Sequence, residues 1–499
     1  MKVVLSTPPG RTTELWPPLG ILYIASSVQS KRSDDVRVID AFCENLTRDE
    51  LVARVVRETP DVFGMNCSTH TFLDAIGTLE KVKELLPSTK LVLGGFHATF
   101  AAERILEAYP FLDYLVKGEG EHAFPKLLEC IEGGRRPVDV EGISYAESGR
   151  MVCNEPVLIE DLDSLPIPNR ALADKVDYGY FHKNIRLTFG KFTTISSSRG
   201  CPYKCAYCSC AAFSQRKWRP RSPENVVAEL ERLQSDGYEC AVFVDDNLTH
   251  SRTRMRRICE LIMEKKIDMR FYCEGRVDSA SLELMKTMKR AGFDVIYFGV
   301  ESPQKHVLDY YSKTIGPDQA AKAVENARKA GMIVVTSYIM GAPVESIEDM
   351  NETVNFIKRV RPHAVQINIL DCLIGTEIWE RMVSEGAVGA QDWKTNHRVY
   401  EYNRAGPSRE VLEDMVNRGY AAHLDTWKSV RGLASFMGTL FANKTARNIV
   451  RGNLFNSEAR KRLSDGTRYE RPTPNSERTA TALRTVFPLP PSGSSGPRR

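Results

Sequence analysis

The sequence predicts an α/β protein made of two consecutive units, a parallel sheet covered by helices and then a partial or full α/β barrel. Two observations carry this. Short apolar runs alternate with longer mixed segments, the pattern of strands separated by covering helices. The alternation comes as two series, divided by the proline-fixed stretch Leu165-Pro166-Ile167-Pro168.

In the first series, over 1–140, strands are expected at 2–6, 36–40, 62–66, 90–93 and 114–117, with helices between them such as 48–58 and 73–86. Loops rich in Pro, Gly, Ser or Thr follow the strands: Thr7-Pro8-Pro9-Gly10, Cys67-Ser68-Thr69-His70, Gly94-Gly95-Phe96-His97 and Gly118-Glu119-Gly120-Glu121. Sheets of this kind bind ligands beyond the carboxyl ends of their strands, which makes these loops the candidate binding edge. A connector is expected over 141–185, with a short hairpin strand at 142–145. The second series, over 186–400, has strands expected at 193–196, 240–244, 270–274, 295–300, 334–339 and 364–370. Six such strands suffice for a barrel whose site lies at their carboxyl ends. Residues 401–470 read as a helical region with basic patches. Residues 471–499 are rich in Pro, Ser, Thr and Arg and are expected to be disordered.

The 499 residues leave room for two or three domains, and 42% hydrophobic with 26% charged residues is ordinary for a globular protein. A net charge of +4 argues against a dedicated nucleic-acid binder. No run of about 18 apolar residues suggests a membrane span, and the first residues read as a strand, so the expected location is the cytoplasm. Twelve cysteines in so long a chain are not a disulfide framework; four of them crowd into 201–210, as in metal or catalytic sites.

That segment reads Arg199-Gly200-Cys201-Pro202-Tyr203-Lys204-Cys205-Ala206-Tyr207-Cys208-Ser209-Cys210. Three thiolates at these spacings can hold an iron–sulfur cluster and leave one iron open. The competing reading is a structural zinc site with Cys210 as fourth ligand. Preceded by Ser-Arg-Gly, the run Cys201-x-x-x-Cys205-x-Tyr207-Cys208 resembles the signature of the radical S-adenosylmethionine (SAM) superfamily. The resemblance implies a [4Fe–4S] cluster on Cys201, Cys205 and Cys208, with SAM on the open iron and Tyr207 beside its adenine. Asp246, Glu274 with Arg276, Glu301 with Ser302, and Gly341 stand at successive strand ends and resemble the family's other SAM contacts. Reductive cleavage of SAM to a 5′-deoxyadenosyl radical is the implied activity.

The first series, with Pro17-Pro18-Leu19-Gly20, Gly94-Gly95-Phe96-His97-Ala98-Thr99 and Lys117-Gly118-Glu119-Gly120-Glu121, resembles the Rossmann-like cobalamin-binding domain that precedes the TIM-type barrel in one radical SAM class. Pro9, Leu19, Ser68, Thr69, Gly94, Gly95, His97, Gly118, Glu119 and Glu121 are the implied cobalamin contacts, and His70 is a further candidate. The Asp-x-His-x-x-Gly run of cobalt-ligating domains is absent. With both cofactors the resemblance implies methylation of an unactivated carbon in a natural-product or lipid-like small molecule. It also implies an electron donor such as flavodoxin or ferredoxin. A non-methylating dehydratase, cyclase or epimerase is the alternative within enzymes, and a zinc- or cobalamin-carrying binding module the alternative outside them. Cys372, just past the sixth barrel strand, is weighed as a catalytic hydrogen donor against a buried small apolar residue. Residues 430–455 are weighed as a peripheral membrane helix against a helix packed on the barrel.

Overall fold

The computed structural model describes residues 1–10, 15–147, 149–179, 181–182, 185–186, 188, 190–403 and 406–428. The segment 430–455 and the tail 471–499 lie outside the described residues.

Strands β1 (Lys2–Ser6), β2 (Asp35–Ile39), β3 (Val62–Asn66), β4 (Lys90–Gly94) and β5 (Tyr114–Val116) form a parallel sheet in the order β2-β1-β3-β4-β5. Helices follow the strands. Leu19–Lys31 lies between β1 and β2, Arg48–Glu58 between β2 and β3, and Phe72–Leu85 between β3 and β4. Helix Arg48–Glu58 starts where Thr47 and Glu50 cap each other's backbone N–H groups. The strand order changes direction between β1 and β3, so the loops at 7–10 and 67–71 flank the point where such sheets take ligands.

One difference from the sequence reading concerns the connector. Strands β6 (Ile143–Glu147) and β7 (Arg150–Cys153) pair antiparallel and extend this first sheet to seven strands. β6 pairs antiparallel with β5, covering an edge that would otherwise expose unpaired backbone groups.

The second unit contains β8 (Phe192–Ile195), β9 (Cys240–Phe243), β10 (Arg270–Gly275), β11 (Phe293–Glu301), β12 (Ile333–Met340) and β13 (Ala364–Ile369). They pair in chain order and all in parallel, forming an open six-stranded sheet, a partial barrel. Phe243, Phe271 and Phe293 pack edge-on or tilted against one another in the core, with ring centroids 5.1 to 5.6 Å apart. Helix Arg409–Lys428 follows the barrel.

The two units share an apolar core. Phe72 and Ala98 of the first belong to one buried cluster with Ala206, Tyr311, Cys372, Trp379 and Trp393 of the second. Gly375, at φ +83°, lies so near the Phe100 ring that a Cβ would come within 2.5 Å of it, and only glycine permits that approach.

Candidate functional site

The chain reaches the cysteine loop through Ser197 and Ser198, which clasp the buried Asp245 at the end of β9. Ser197 donates from its N–H (3.0 Å) and Oγ (2.7 Å), and Ser198 from its Oγ (2.5 Å). Gly200 then turns the chain at φ +85°, where a Cβ would sit 2.1 Å from the Lys217 carbonyl. Its N–H donates to Asp246 Oδ2 at 2.9 Å. Within the loop the Cys208 N–H donates to the Cys205 carbonyl (3.1 Å), and Ala206 donates to the Tyr311 carbonyl (2.9 Å) and accepts from the Ile378 N–H (3.0 Å). The loop is therefore stitched to segments that follow β11 and β13.

Cys201, Cys205 and Cys208 are free and partly exposed. Burial pushes the Cys201 thiol up to about 11 and raises that of Cys205. Hydrogen bonds from the Cys210 side chain and from the Cys210 and Ala211 N–H groups hold Cys208 below the usual thiol range, against the effect of burial. Among the described residues, no three His, Cys, Asp or Glu side chains are arranged to hold a single metal ion. A cubane differs in its demand, since each thiolate takes a separate iron corner. Three soft donors on one pinned loop fit that group.

Next to the loop, the Tyr207 hydroxyl donates to Glu301 Oε1 at 3.0 Å, and Lys313 Nζ donates to the same oxygen at 2.6 Å. Ser337 Oγ reaches Glu301 Oε2 at 3.3 Å. Glu301 has φ +66° at a register shift between β11 and β12, a strained conformation for a side-chain-bearing residue. Gly299 makes room for it, because a Cβ there would lie 2.5 Å from Glu301 Oε1. Ser302 is buried, and its Oγ accepts from the Gln304 N–H. Asp246 and Glu274 are exposed at their strand ends. Arg276 lies over the Tyr203 ring, 3.5 Å from its centroid, and pairs with Asp278 at 2.9 Å. Gly341, at φ +94°, donates its N–H to Glu345 Oε2 at 2.7 Å. Burial pushes the Glu345 carboxyl up to about 7.

The loops of the first unit are less uniform than the sequence reading had them. Pro9 is buried, while Leu19, Ser68, Thr69, Gly94, Gly95 and Gly118 are partly exposed and His70 is exposed. Gly95 has φ +95°, and a Cβ would come within 2.5 Å of the Cys67 carbonyl, so the β3 and β4 loops touch backbone to backbone. His97 is wholly buried. Its Nδ1 lies 3.2 Å from Thr69 Oγ1, its ring packs on Phe72 and Trp393, and its Nε2 has no partner. Burial lowers it to about 4, so it is neutral near pH 7. Glu119 and Glu121 do not face an open edge: Arg199 and Arg219 hold their carboxylates. Phe96 meets Phe213, in the short helix just after the cysteines, at a centroid distance of 4.4 Å.

A model of the radical SAM superfamily matches residues 195–357, and one of the B12 binding domain matches residues 10–128. An uncharacterized methyltransferase of Pyrococcus horikoshii is 32% identical over 403 residues, which are 79% of this chain and 86% of that protein. The chain belongs to the B12-binding radical SAM family. An anaerobic magnesium-protoporphyrin IX monomethyl ester cyclase of Rubrivivax gelatinosus is 29% identical over 357 residues, 70% of this chain and 63% of that protein. The radical SAM methyltransferase TsrM of Kitasatospora setae, solved with cobalamin and a [4Fe–4S] cluster, superimposes with a TM-score of 0.63 at 16% identity. That match covers 77% of this chain and 75% of TsrM, and it shows a shared fold.

Within this radical SAM protein, Lys313 and Ser337 are neighbours of the site that sequence reasoning did not single out. Lys313 had no readable signal, because its partner Glu301 is twelve residues away on another element. Cys208, burial and Asp246 together hold the Cys210 thiol well above its ordinary range. Cys372 is fully buried in the shared apolar core, with its thiol pushed up to about 12. Among the described residues no helix is long and apolar enough to cross a membrane.

Proposed function

We propose that this radical SAM protein is a cobalamin-dependent methyltransferase acting on an unactivated carbon of a natural-product or lipid-like small molecule. The observation that carries the reading is the contact between the two loop systems. The B12-binding unit's Phe96 packs on Phe213, five residues past Cys208, which brings the two candidate cofactor edges side by side. When bound, the cluster with SAM supplies a 5′-deoxyadenosyl radical, and cobalamin supplies a methyl group.

The chain's own residues have readable tasks in this scheme. Cys201, Cys205 and Cys208 would hold the cluster. Tyr207, oriented by Glu301 and Lys313, would line the adenine side of SAM, with Asp246, Glu274, Arg276, Ser302 and Gly341 at the neighbouring strand ends. Partly exposed Ser68, Thr69, Gly94, Gly95 and Gly118 are the first-unit positions best placed for cobalamin. Buried His97 is suited to shaping that edge from beneath. A flavodoxin or ferredoxin would deliver the electron. Twelve cysteines outside any disulfide and a cluster fit the reducing cytoplasm.

The test is anaerobic reconstitution of the full chain with iron and sulfide, then dithionite and SAM carrying a labelled methyl group. Bound iron and sulfide, release of 5′-deoxyadenosine and label on added hydroxocobalamin support the reading. Release of 5′-deoxyadenosine with no label on cobalamin points to a non-methylating outcome, as the cyclase relative's name would suggest. Stoichiometric zinc without sulfide ends the reading.

A further inference from the structure

The motif Gly118-Glu119-Gly120-Glu121 follows β5 in the first unit, yet its carboxylates are turned toward the second. Glu119 Oε1 accepts from Arg199 Nη1 (3.0 Å) and Arg219 Nη2 (3.0 Å), and Oε2 accepts from Arg219 Nη1 (2.7 Å) and the Ile159 N–H (2.8 Å). Glu121 Oε1 accepts from Arg199 Nη2 at 2.6 Å. The Glu119, Glu121 and Arg219 side chains are only 4 to 5% exposed, and Arg199 is 18% exposed.

The two arginines stand directly opposite each other in a short antiparallel ladder, Ser198–Arg199 against Arg219–Pro220. Like charges in that position repel, and out of water the repulsion is strong. Glu119 is the carboxylate that touches both. Arg199 also lies over the Tyr23 ring of helix Leu19–Lys31, 5.0 Å from its centroid, so a second contact ties it to the first unit. Two residues beyond Arg199 stands Cys201.

We propose that Glu119 is a positioning residue for the cysteine loop, a carboxylate of the B12-binding unit that bridges the Arg199–Arg219 pair, with Glu121 supplying the second negative charge, and fastens the loop to that unit. The inference rests on the reading of the loop as a cluster site. It gives the glutamates a task other than contact with a cofactor. It also explains why a Gly-Glu-Gly-Glu run is useful there: Gly118, at φ +66°, turns the backbone so that Glu119 projects toward the barrel.

The experiment uses the full chain with Glu119→Gln, which keeps the shape and removes the charge, Glu119→Asp, and Arg199→Gln. Hydrogen exchange is followed over 198–208, with release of 5′-deoxyadenosine from SAM under dithionite as a second readout. Expected for Glu119→Gln is a rise of about tenfold in exchange over 198–208, with the helices at 72–85 and 252–264 unchanged. Release of 5′-deoxyadenosine falls alongside, and Glu119→Asp recovers part of both. Arg199→Gln leaves the Glu119–Arg219 pair in place and loosens the same segment, which keeps the test alive if Glu119→Gln does not fold. Unchanged exchange over 198–208 in a folded variant of either kind overturns the proposal. A wild-type chain that never cleaves SAM sinks the function and leaves the exchange result standing.

Discussion

Lys313 Nζ lies 2.6 Å from Glu301 Oε1, the oxygen that also accepts the Tyr207 hydroxyl, and both members of this ion pair are 7% exposed. A buried carboxylate deprived of its cation is left in a medium that solvates it poorly. Lys313→Met is therefore expected to destabilise the protein by about 3–5 kcal/mol. Adding Glu301→Gln should recover a large part of that loss, because it removes the stranded charge. Chemical denaturation of the two single variants and the double variant measures the coupling, and simple additivity would refute it.

Cys205→Ala is expected to abolish the brown colour of the reconstituted protein and the release of 5′-deoxyadenosine, while the helical circular dichroism signal stays. A variant that keeps stoichiometric iron and sulfide would remove Cys205 from the ligand set.

His97 gives stability a pH dependence of known sign. Its folded value is about 4 against an ordinary 6.5, so between those limits the unfolded chain takes up a proton that the native state refuses. The contribution is fully present above pH 6.5 and is lost as pH falls, reaching about 3 kcal/mol by pH 4. His97→Phe should flatten this part of the profile. Melting temperatures of both proteins at pH 7 and pH 5 check it, and parallel profiles would count against it.

Cys372→Ala is expected to retain SAM cleavage and lose only about 1 kcal/mol of stability, since the thiol is wholly buried among apolar side chains. Lost turnover at an unchanged melting temperature would bring the thiol back into the chemistry.

Much of the architecture could be read along the chain. All five parallel strands of the first sheet and all six of the barrel lie within two residues of where apolar patterning places them, because a strand is specified by neighbours a few positions away. The cysteine loop was legible for the same reason: three closely spaced cysteines and their turn-forming glycine occupy one short segment. The second strand of the hairpin, β7, was not, since its burial pattern is mostly open and its pairing partner is what makes it a strand.

What the tertiary structure alone decided are the meetings of residues far apart in sequence. Arg199 and Glu119 are separated by 80 positions and Arg219 and Glu119 by 100, and no local pattern marks either pair. A glutamate on a glycine-rich loop has the same spacing whether it faces a cofactor or an arginine of another unit. Likewise, nothing next to His97 or Cys372 in the chain foretells their complete burial: the ring of Trp393 stacks on His97, and Cys372 lies in the apolar core that the two units share. By itself the sequence determined the elements and the cysteine loop, because both are written in short-range spacing. Packing decided which polar groups stay open at the loop edges and which hold the units together, because charge and burial depend on what arrives from elsewhere in the fold.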